Sequence, residues 1–434
     1  MPALPMDSVA RGTLVNLATR LLGVALVLAI TAIVARIGTE AQGAFALFTS
    51  IEGVLLALSS GFGLALARQV SQHGAWPRAL AGAVVLASAL LGVLAGLGLL
   101  ALSIWGPPAY HWLWLLALAS PLLLQAPNLQ GLWLGAGRML PMARLALAPP
   151  LLALLLVGAL ALLQRVQLGG VLLAWVLAKL AVGGVLVAWL WRRGRLAAPD
   201  LRALRGEAGF VATIGLTNLV ALLNYRVGLF VVERQLGLSA TGVYSIAVVV
   251  AELLWFVSGA LTQAAYGRIG RPERGQAAAL TVRVMQLGVA ALLPAAPLLW
   301  LLAWLLVPRL LGPAYAGSLL PLALLLPGVL LFGAAGSLSA FFTNHLGRPQ
   351  VPGQVAALSL VLNAGLSLLL VPRLGSAGAA LAASLAYASS VFVLARRFAQ
   401  HAGLPLRALW RPGHALRGDL RVVASLASRW GGRR

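Results

Sequence analysis

The sequence predicts an all-α polytopic membrane protein, with twelve transmembrane helices in two pseudo-symmetric six-helix lobes around a central cavity. Three observations carry that expectation: the composition, the alternation of arginine along the chain, and a repeat at about 200 residues. Hydrophobic residues make up 61% of the 434 and charged residues 9%, with a mean hydropathy of +0.95. A soluble domain carries about a quarter charged residues. The formal net charge of +23 is of the size that basic nucleic-acid binders show, but the placement of the charges points elsewhere. The chain has no cysteine, which excludes disulfides, thiol chemistry and Cys-type metal sites. Its five histidines are scattered through connections and tail without metal-ligand spacing. The opening "MPALPMDSVARG" runs into a full-length apolar span with no cleavage pattern, so the first span is expected to be retained.

A hydrocarbon core of about 30 Å asks for about 20 apolar residues per helix. Twelve stretches qualify, at about 13–35, 42–66, 79–104, 111–136, 142–163, 168–191, 209–232, 240–265, 281–307, 316–342, 352–371 and 375–396. The connections between them alternate in charge. One side collects 24 of the 32 Lys and Arg residues; the other has Arg36, Arg165, Arg234, Arg309 and Arg373, one per loop. Basic residues stay on the cytoplasmic side, so both termini are expected in the cytoplasm. The basic excess then reads as a topology signal, and no nucleic-acid partner is expected. The loops of the arginine-poor side are all short, which leaves no room for a catalytic domain there. An enzyme is not expected.

The repeat begins where "VARIGTEAQGAFALFTSIEG" from Val34 matches "VERQLGLSATGVYSIAVVVAE" from Val232. With one inserted residue, Val34, Arg36, Gly38, Ala41, Gly43 and Phe45 fall on Val232, Arg234, Gly237, Ala240, Gly242 and Tyr244. Further on, Gly137-Arg138 falls on Gly347-Arg348, and the turn "QLGG" at Gln167 on "LGSAGAA" at Leu374. The expected organisation is a lobe over 1–192, a basic linker over 193–208, a second lobe over 209–398 and a basic tail over 399–434. Six spans is an even number, so the lobes run parallel about an axis normal to the membrane. That arrangement suits alternating access by rocking and points to transport.

Away from the span ends, five charged residues lie within the spans: Arg20, Glu52, Lys179, Arg226 and Glu252. Each costs about 2.5–3.5 kcal/mol at the centre of a helix on insertion scales, so lipid-facing positions suit them poorly. Spans 1 and 7 each hold one arginine, and spans 2 and 8 one glutamate, roughly 13–15 Å below the outer surface by helical rise. Three readings of the arginines stand: snorkelling to headgroups, pairing with the glutamates to hold helices together, or lining a cavity that meets an anionic ligand. Lys179 has Leu385 at the matching place of span 12. The glutamates are either counter-ions or carriers of a coupled proton or ion. Asn16, Asn218, Asn224 and Tyr225 line the same cavity or join helices. Leu416, Leu420, Val423, Ala427 and Trp430 recur at helical spacing among arginines in the tail, as in an amphipathic helix lying on membrane lipids of the anionic inner leaflet.

The segments "NLATRLLG", "IVARIGTEAQGAFAL", "GFGLALAR", "LGLSATGVYSIA", "LLGPAYAGSLLPLALLLPG" and "LVPRLGSAGAALAASLA" resemble, in that order, polysaccharide-biosynthesis flippases of the Wzx type. These belong to the multidrug/oligosaccharidyl-lipid/polysaccharide (MOP) exporter superfamily, which also contains the MATE transporters, and the resemblance covers residues 8–398. It implies a bacterial inner-membrane protein that flips undecaprenyl-pyrophosphate-linked oligosaccharide through a cationic cavity. It also implies antiport against H+ or Na+, no cofactor, and polysaccharide polymerase or assembly proteins as partners. The basic residue of the family's first helix corresponds to Arg20. Span 7 keeps Arg226 but has Gly228 where the family has an aspartate, and Gly267 stands where a proline is usual. Glu52 and Glu252 then remain as the coupling candidates, with Arg20, Arg226 and Lys179 as the substrate-binding ones. The lipid II branch typically carries two further helices, and a drug or cation exporter is expected to bury more acids than bases. A non-transporting scaffold that recruits assembly enzymes through its basic linker and tail is the alternative from another class.

Overall fold

The computed structural model describes residues 6–269 and 274–410, and these are almost wholly helical. The expected amphipathic tail helix lies outside the described residues. The first six helices are α1 (Met6–Ile37), α2 (Thr39–His73), α3 (Arg78–Trp105), α4, α5 (Met139–Leu162) and α6 (Leu168–Arg192), where α4 consists of Leu113–Leu123, Gln125–Leu129 and Gly131–Gly135. Leu201–Glu252 is one helical stretch interrupted at Gly237, whose φ of 81° and ψ of −178° no helix accommodates. The part before Gly237 is α7 (201–236). The part after it, with Leu254–Ile269, is α8. There follow α9 (Arg274–Leu310), α10 (Leu319–Ala334, Gly336–Ala340 and a π turn at Phe341–His345), α11 (Gln350–Leu374) and α12 (Ser376–Ala402). Each expected span overlaps one of these helices, within a few residues where it extends past the helix end. Among the described residues eleven continuous stretches are long and apolar enough to cross a membrane, and one of them, Leu201–Gln263, contains α7 and most of α8.

Local chemistry accounts for the boundaries. α7 begins at Leu201, earlier than the apolar run, because the Asp200 carboxylate accepts the backbone N–H groups of Arg202 (2.9 Å) and Ala203 (3.1 Å) as an N-cap does. α4 contains Pro121 and Pro127, which remove backbone donors. The Gln125 side-chain amide donates to the Pro121 carbonyl at 2.7 Å, so the broken stretch stays satisfied inside the bundle. The glycines matched by the repeat all have positive φ: Gly38 and Gly237 of 153° and 81°, Gly137 and Gly347 of 67° and 61°. Those conformations favour a residue without Cβ.

The chain divides into two compact units. One takes the chain through Arg226 with Leu236–Val243 and Leu310–Gly312; the other takes Val227–Gln235, Tyr244–Arg309 and the chain from Pro313 on. In the first unit, Leu66, Leu80, Leu129, Trp133 and Leu190 close a core between α2, α3, α4 and α6. Glycines set the approach. A Cβ on Gly131 would stand 1.9 Å from the Gly63 carbonyl oxygen, and one on Gly215 2.5 Å from that of Leu58, so α2 touches both α4 and α7 backbone to backbone. In the second unit, Ile269, Met285, Leu338, Phe342, Phe398 and Leu409 form the core. Leu94, Leu97, Leu293 and Leu298 are exposed, as suits lipid-facing surface.

The first unit also holds a self-complementary contact. A Cβ on Gly43 would lie 2.0 Å from the Leu238 carbonyl oxygen, and one on Gly242 would lie 1.9 Å from that of Thr39. Gly43 and Gly242 are repeat equivalents, and so by the same register are Thr39 and Leu238. The Thr39 and Ser239 hydroxyls share a hydrogen bond of 2.7 Å. The start of α2 and the start of α8 thus clasp each other through equivalent atoms.

Candidate functional site

Inside the first unit the structure brings together two of the five charged residues of the spans. Glu52 comes from α2, and Lys179 from α6 with Trp175 one turn before it on the same face. Glu52 is 2% exposed. Its carboxylate accepts the Trp175 indole N–H at 2.7 Å and the Lys179 ammonium. That ammonium also lies over the Trp175 ring, 4.2 Å from its centroid, where the ring's negative face attracts it. Phe45, two turns before Glu52, packs edge-on against Trp175 at 5.6 Å and 82°. The indole is therefore held between an aromatic edge, a cation and a carboxylate. A buried carboxylate without partners is strongly destabilising, and one with two donors and an adjacent ammonium is not.

The pair lines a half-open pocket of about 340 Å³ whose walls come from α1, α2, α4, α5 and α6. Val27, Leu56, Leu123, Leu145 and Pro149 give it apolar walls, and Gln130 is the one further polar side chain among its lining residues. Such a pocket, apolar with a few convergent polar groups, has the character of a ligand site.

The other sequence candidates lie elsewhere, and none of them lines this pocket. Arg20 is exposed on α1, one turn after the half-buried Asn16. On α7, Asn218 is exposed and donates to the Ser60 hydroxyl at 2.8 Å. Asn224 is 1% exposed, and Tyr225 and Arg226 are half-buried. Glu252 is half-buried and closes the first part of α8, which breaks at Leu253, whereas α2 runs unbroken through Glu52. The second unit holds a cluster of rings: Phe332 and Tyr387 lie tilted by 40° at 5.0 Å, with Trp255 at 6.1 and 6.5 Å from them. Leu385, the match of Lys179, is exposed. Gly228 lies against Tyr244: a Cβ there would stand 2.9 Å from its hydroxyl.

Sequence reasoning missed two features. Trp175 carried a signal, being one turn before Lys179. Glu207, assigned to the linker, is 9% exposed. It accepts from the Gln69 amide at 2.7 Å and pairs with Arg68 at 3.6 Å, which ties the start of α7 to the end of α2. Beside it opens a second pocket of about 440 Å³ that reaches Pro77 and Arg78. Among the described residues no cluster of His, Asp and Glu has the makings of a metal site.

No family model matches the sequence, and no curated protein does either. Solved structures do. The chain is similar to a multidrug resistance MATE family transporter of the MOP superfamily in an inward-facing conformation. The TM-score is 0.73 with 16% identity, over 90% of this chain and 94% of that one. It is similar also to the lipid II flippase MurJ in an inward closed conformation, with TM-score 0.68 and 12% identity over 92% and 89% of the two chains. A third is a MOP superfamily transporter from Pyrococcus furiosus described by the reverse polarity of its binding pocket, with TM-score 0.64 and 15% identity over 93% and 96%. Twelve helical segments in the observed order, matched over nine-tenths of the chain, give this protein the all-α membrane fold of the MATE and MurJ transporters of the MOP superfamily.

Proposed function

We propose that the chain is a flippase that moves an undecaprenyl-pyrophosphate-linked oligosaccharide, or a similar anionic lipid-linked glycan, across the bacterial inner membrane by alternating access. The observation that carries the reading is the fold, shared along almost the whole chain with transporters that include a lipid II flippase. The charges in the spans favour an anionic cargo, with Arg20, Lys179 and Arg226 against Glu52 and Glu252. A cationic drug would meet the opposite balance. Arg20 and Arg226 meet the pyrophosphate, and Asn16, Asn218, Asn224 and Tyr225 offer hydrogen bonds to it or to the sugars. The energy comes from H+ or Na+ through Glu52 and Glu252, and membrane lipids and glycan-assembly proteins are the partners.

The test is reconstitution of the purified protein into vesicles with a fluorescent lipid-linked oligosaccharide and an impermeant quencher. The wild-type protein makes the label inaccessible or accessible at a protein-dependent rate, and Arg20→Ala with Arg226→Ala slows that rate at least tenfold in a variant that still folds. An undiminished rate in the folded double variant removes the arginines from the mechanism, and no protein-dependent flipping removes the reading itself.

A further inference from the structure

The open pocket of about 440 Å³ beside Glu207 lies where three expected spans end. Span 2 closes at about residue 66, span 3 opens at about 79 and span 7 at about 209. The lining residues Gln69, Arg78 and Glu207 stand within three residues of those limits, on the side that collects the arginines. That is the depth of lipid headgroups. Glu207 Oε1 accepts from the Gln69 amide at 2.7 Å. Its Oε2 is buried and accepts no hydrogen bond; the Arg68 guanidinium stands at 3.6 Å, beyond hydrogen-bond range. A buried carboxylate oxygen without a donor is costly. Arg78 is exposed and begins α3, whose first N–H groups have no carbonyl a turn earlier and no side-chain cap. Asp200 is near, its backbone N–H on the Ala79 carbonyl at 3.3 Å, but its carboxylate is taken by N–H groups of α7. The pocket thus combines an acceptor that lacks a donor with a cationic helix start.

We propose that this pocket binds the headgroup of phosphatidylethanolamine, with the ammonium on Glu207 and the phosphate on Arg78 and the first turn of α3. An ammonium carries three N–H donors; one meets Oε2 and another the Gln69 amide oxygen. The phosphate meets a guanidinium and a helix N-terminus, both of which favour it. Phosphatidylglycerol carries the phosphate without an ammonium, and phosphatidylcholine a cation without N–H. Either leaves Oε2 without its donor. The helix below the pocket favours a lipid over a soluble zwitterion. Ala79 lines the pocket, and Leu86, Leu90, Val93 and Leu97 follow it along one face of α3 at helical spacing. All four are exposed, a track for an acyl chain that continues from the headgroup.

The assignment needs only the membrane-spanning fold and is independent of the cargo. Its test is native mass spectrometry of the full-length protein in neutral detergent, titrated with dioleoyl-phosphatidylethanolamine, -phosphatidylcholine or -phosphatidylglycerol. Phosphatidylethanolamine is expected to fill one saturable site about tenfold more tightly than the other two, the worth of one charge-assisted hydrogen bond. Glu207→Gln abolishes the preference over phosphatidylcholine. Arg78→Gln weakens phosphatidylethanolamine by a similar factor and keeps the preference. Arg78 is exposed, so that variant and the lipid comparison decide the matter even where Glu207→Gln does not fold. Equal binding of the three lipids, a preference that survives in folded Glu207→Gln, an Arg78→Gln protein that binds like the wild type, or no saturable site each overturns the assignment. Displacement of the lipid by an equal concentration of free O-phosphoethanolamine would give the pocket to a soluble ligand and overturn it as well. Lipid-selective binding in a protein that flips nothing leaves this site standing and sinks the flippase reading alone.

Discussion

Lys179→Met strands a carboxylate in the pocket wall beside Trp175. Truncating one partner of a buried ion pair costs about 3–5 kcal/mol, while replacing both by apolar or neutral groups of similar size is close to neutral. At pH 8, Lys179→Met is therefore expected to lower stability by about that amount, and Glu52→Gln/Lys179→Met to recover most of it. Chemical unfolding in detergent reads the cycle, and single and double variants of equal stability would show that the pair holds nothing. At the same scale the sequence was only half legible. That Glu52 and Lys179 are buried follows from their place in apolar spans. That they meet does not, because 127 residues separate them and the repeat pairs Glu52 with Glu252 instead. The repeat also offered no warning that Trp255, Phe332 and Tyr387 would fill the second unit with rings.

Among the elements, the clasp of α2 on α8 is where sequence symmetry becomes contact. Two glycines that had been matched by register, Gly43 and Gly242, turn out to face each other's strand of backbone, each near the carbonyl of the other's neighbour. Because the chain has no cysteine, the approach is easily measured. Thr39→Cys with Ser239→Cys is expected to form a disulfide under mild oxidation, since the parent hydroxyls lie 2.7 Å apart and a disulfide needs close Cβ atoms. Adding Gly242→Leu pushes the backbones apart and should abolish the cross-link. A cross-link of undiminished yield in the triple variant would show that the close approach is not required. The broken helices were also anticipated only in part. Prolines in α4 announced weak points, but the choice of breaks at Leu124 and Gln130 depends on Gln125 reaching Pro121 and on the glycine contacts with α2.

For the whole molecule, the arginine count assigns the α6–α7 connection to the cytoplasm and the α7–α8 turn to the opposite side. Gln235→Cys is then labelled by an impermeant maleimide on intact cells, while Ala198→Cys reacts only after the membrane is opened. The reverse pattern would invert the topology and, with it, the direction in which Arg20 and Arg226 would meet a cargo. The succession of twelve apolar helical segments follows from the sequence alone, because hydrocarbon thickness and backbone satisfaction act on each segment separately. Which charges neutralise one another, which aromatic ring lies over the ammonium, and whether a pocket forms inside one unit were decided by tertiary structure. These depend on helix rotation and on backbone approaches of a few ångströms between segments far apart in the chain, which local hydrophobicity does not encode.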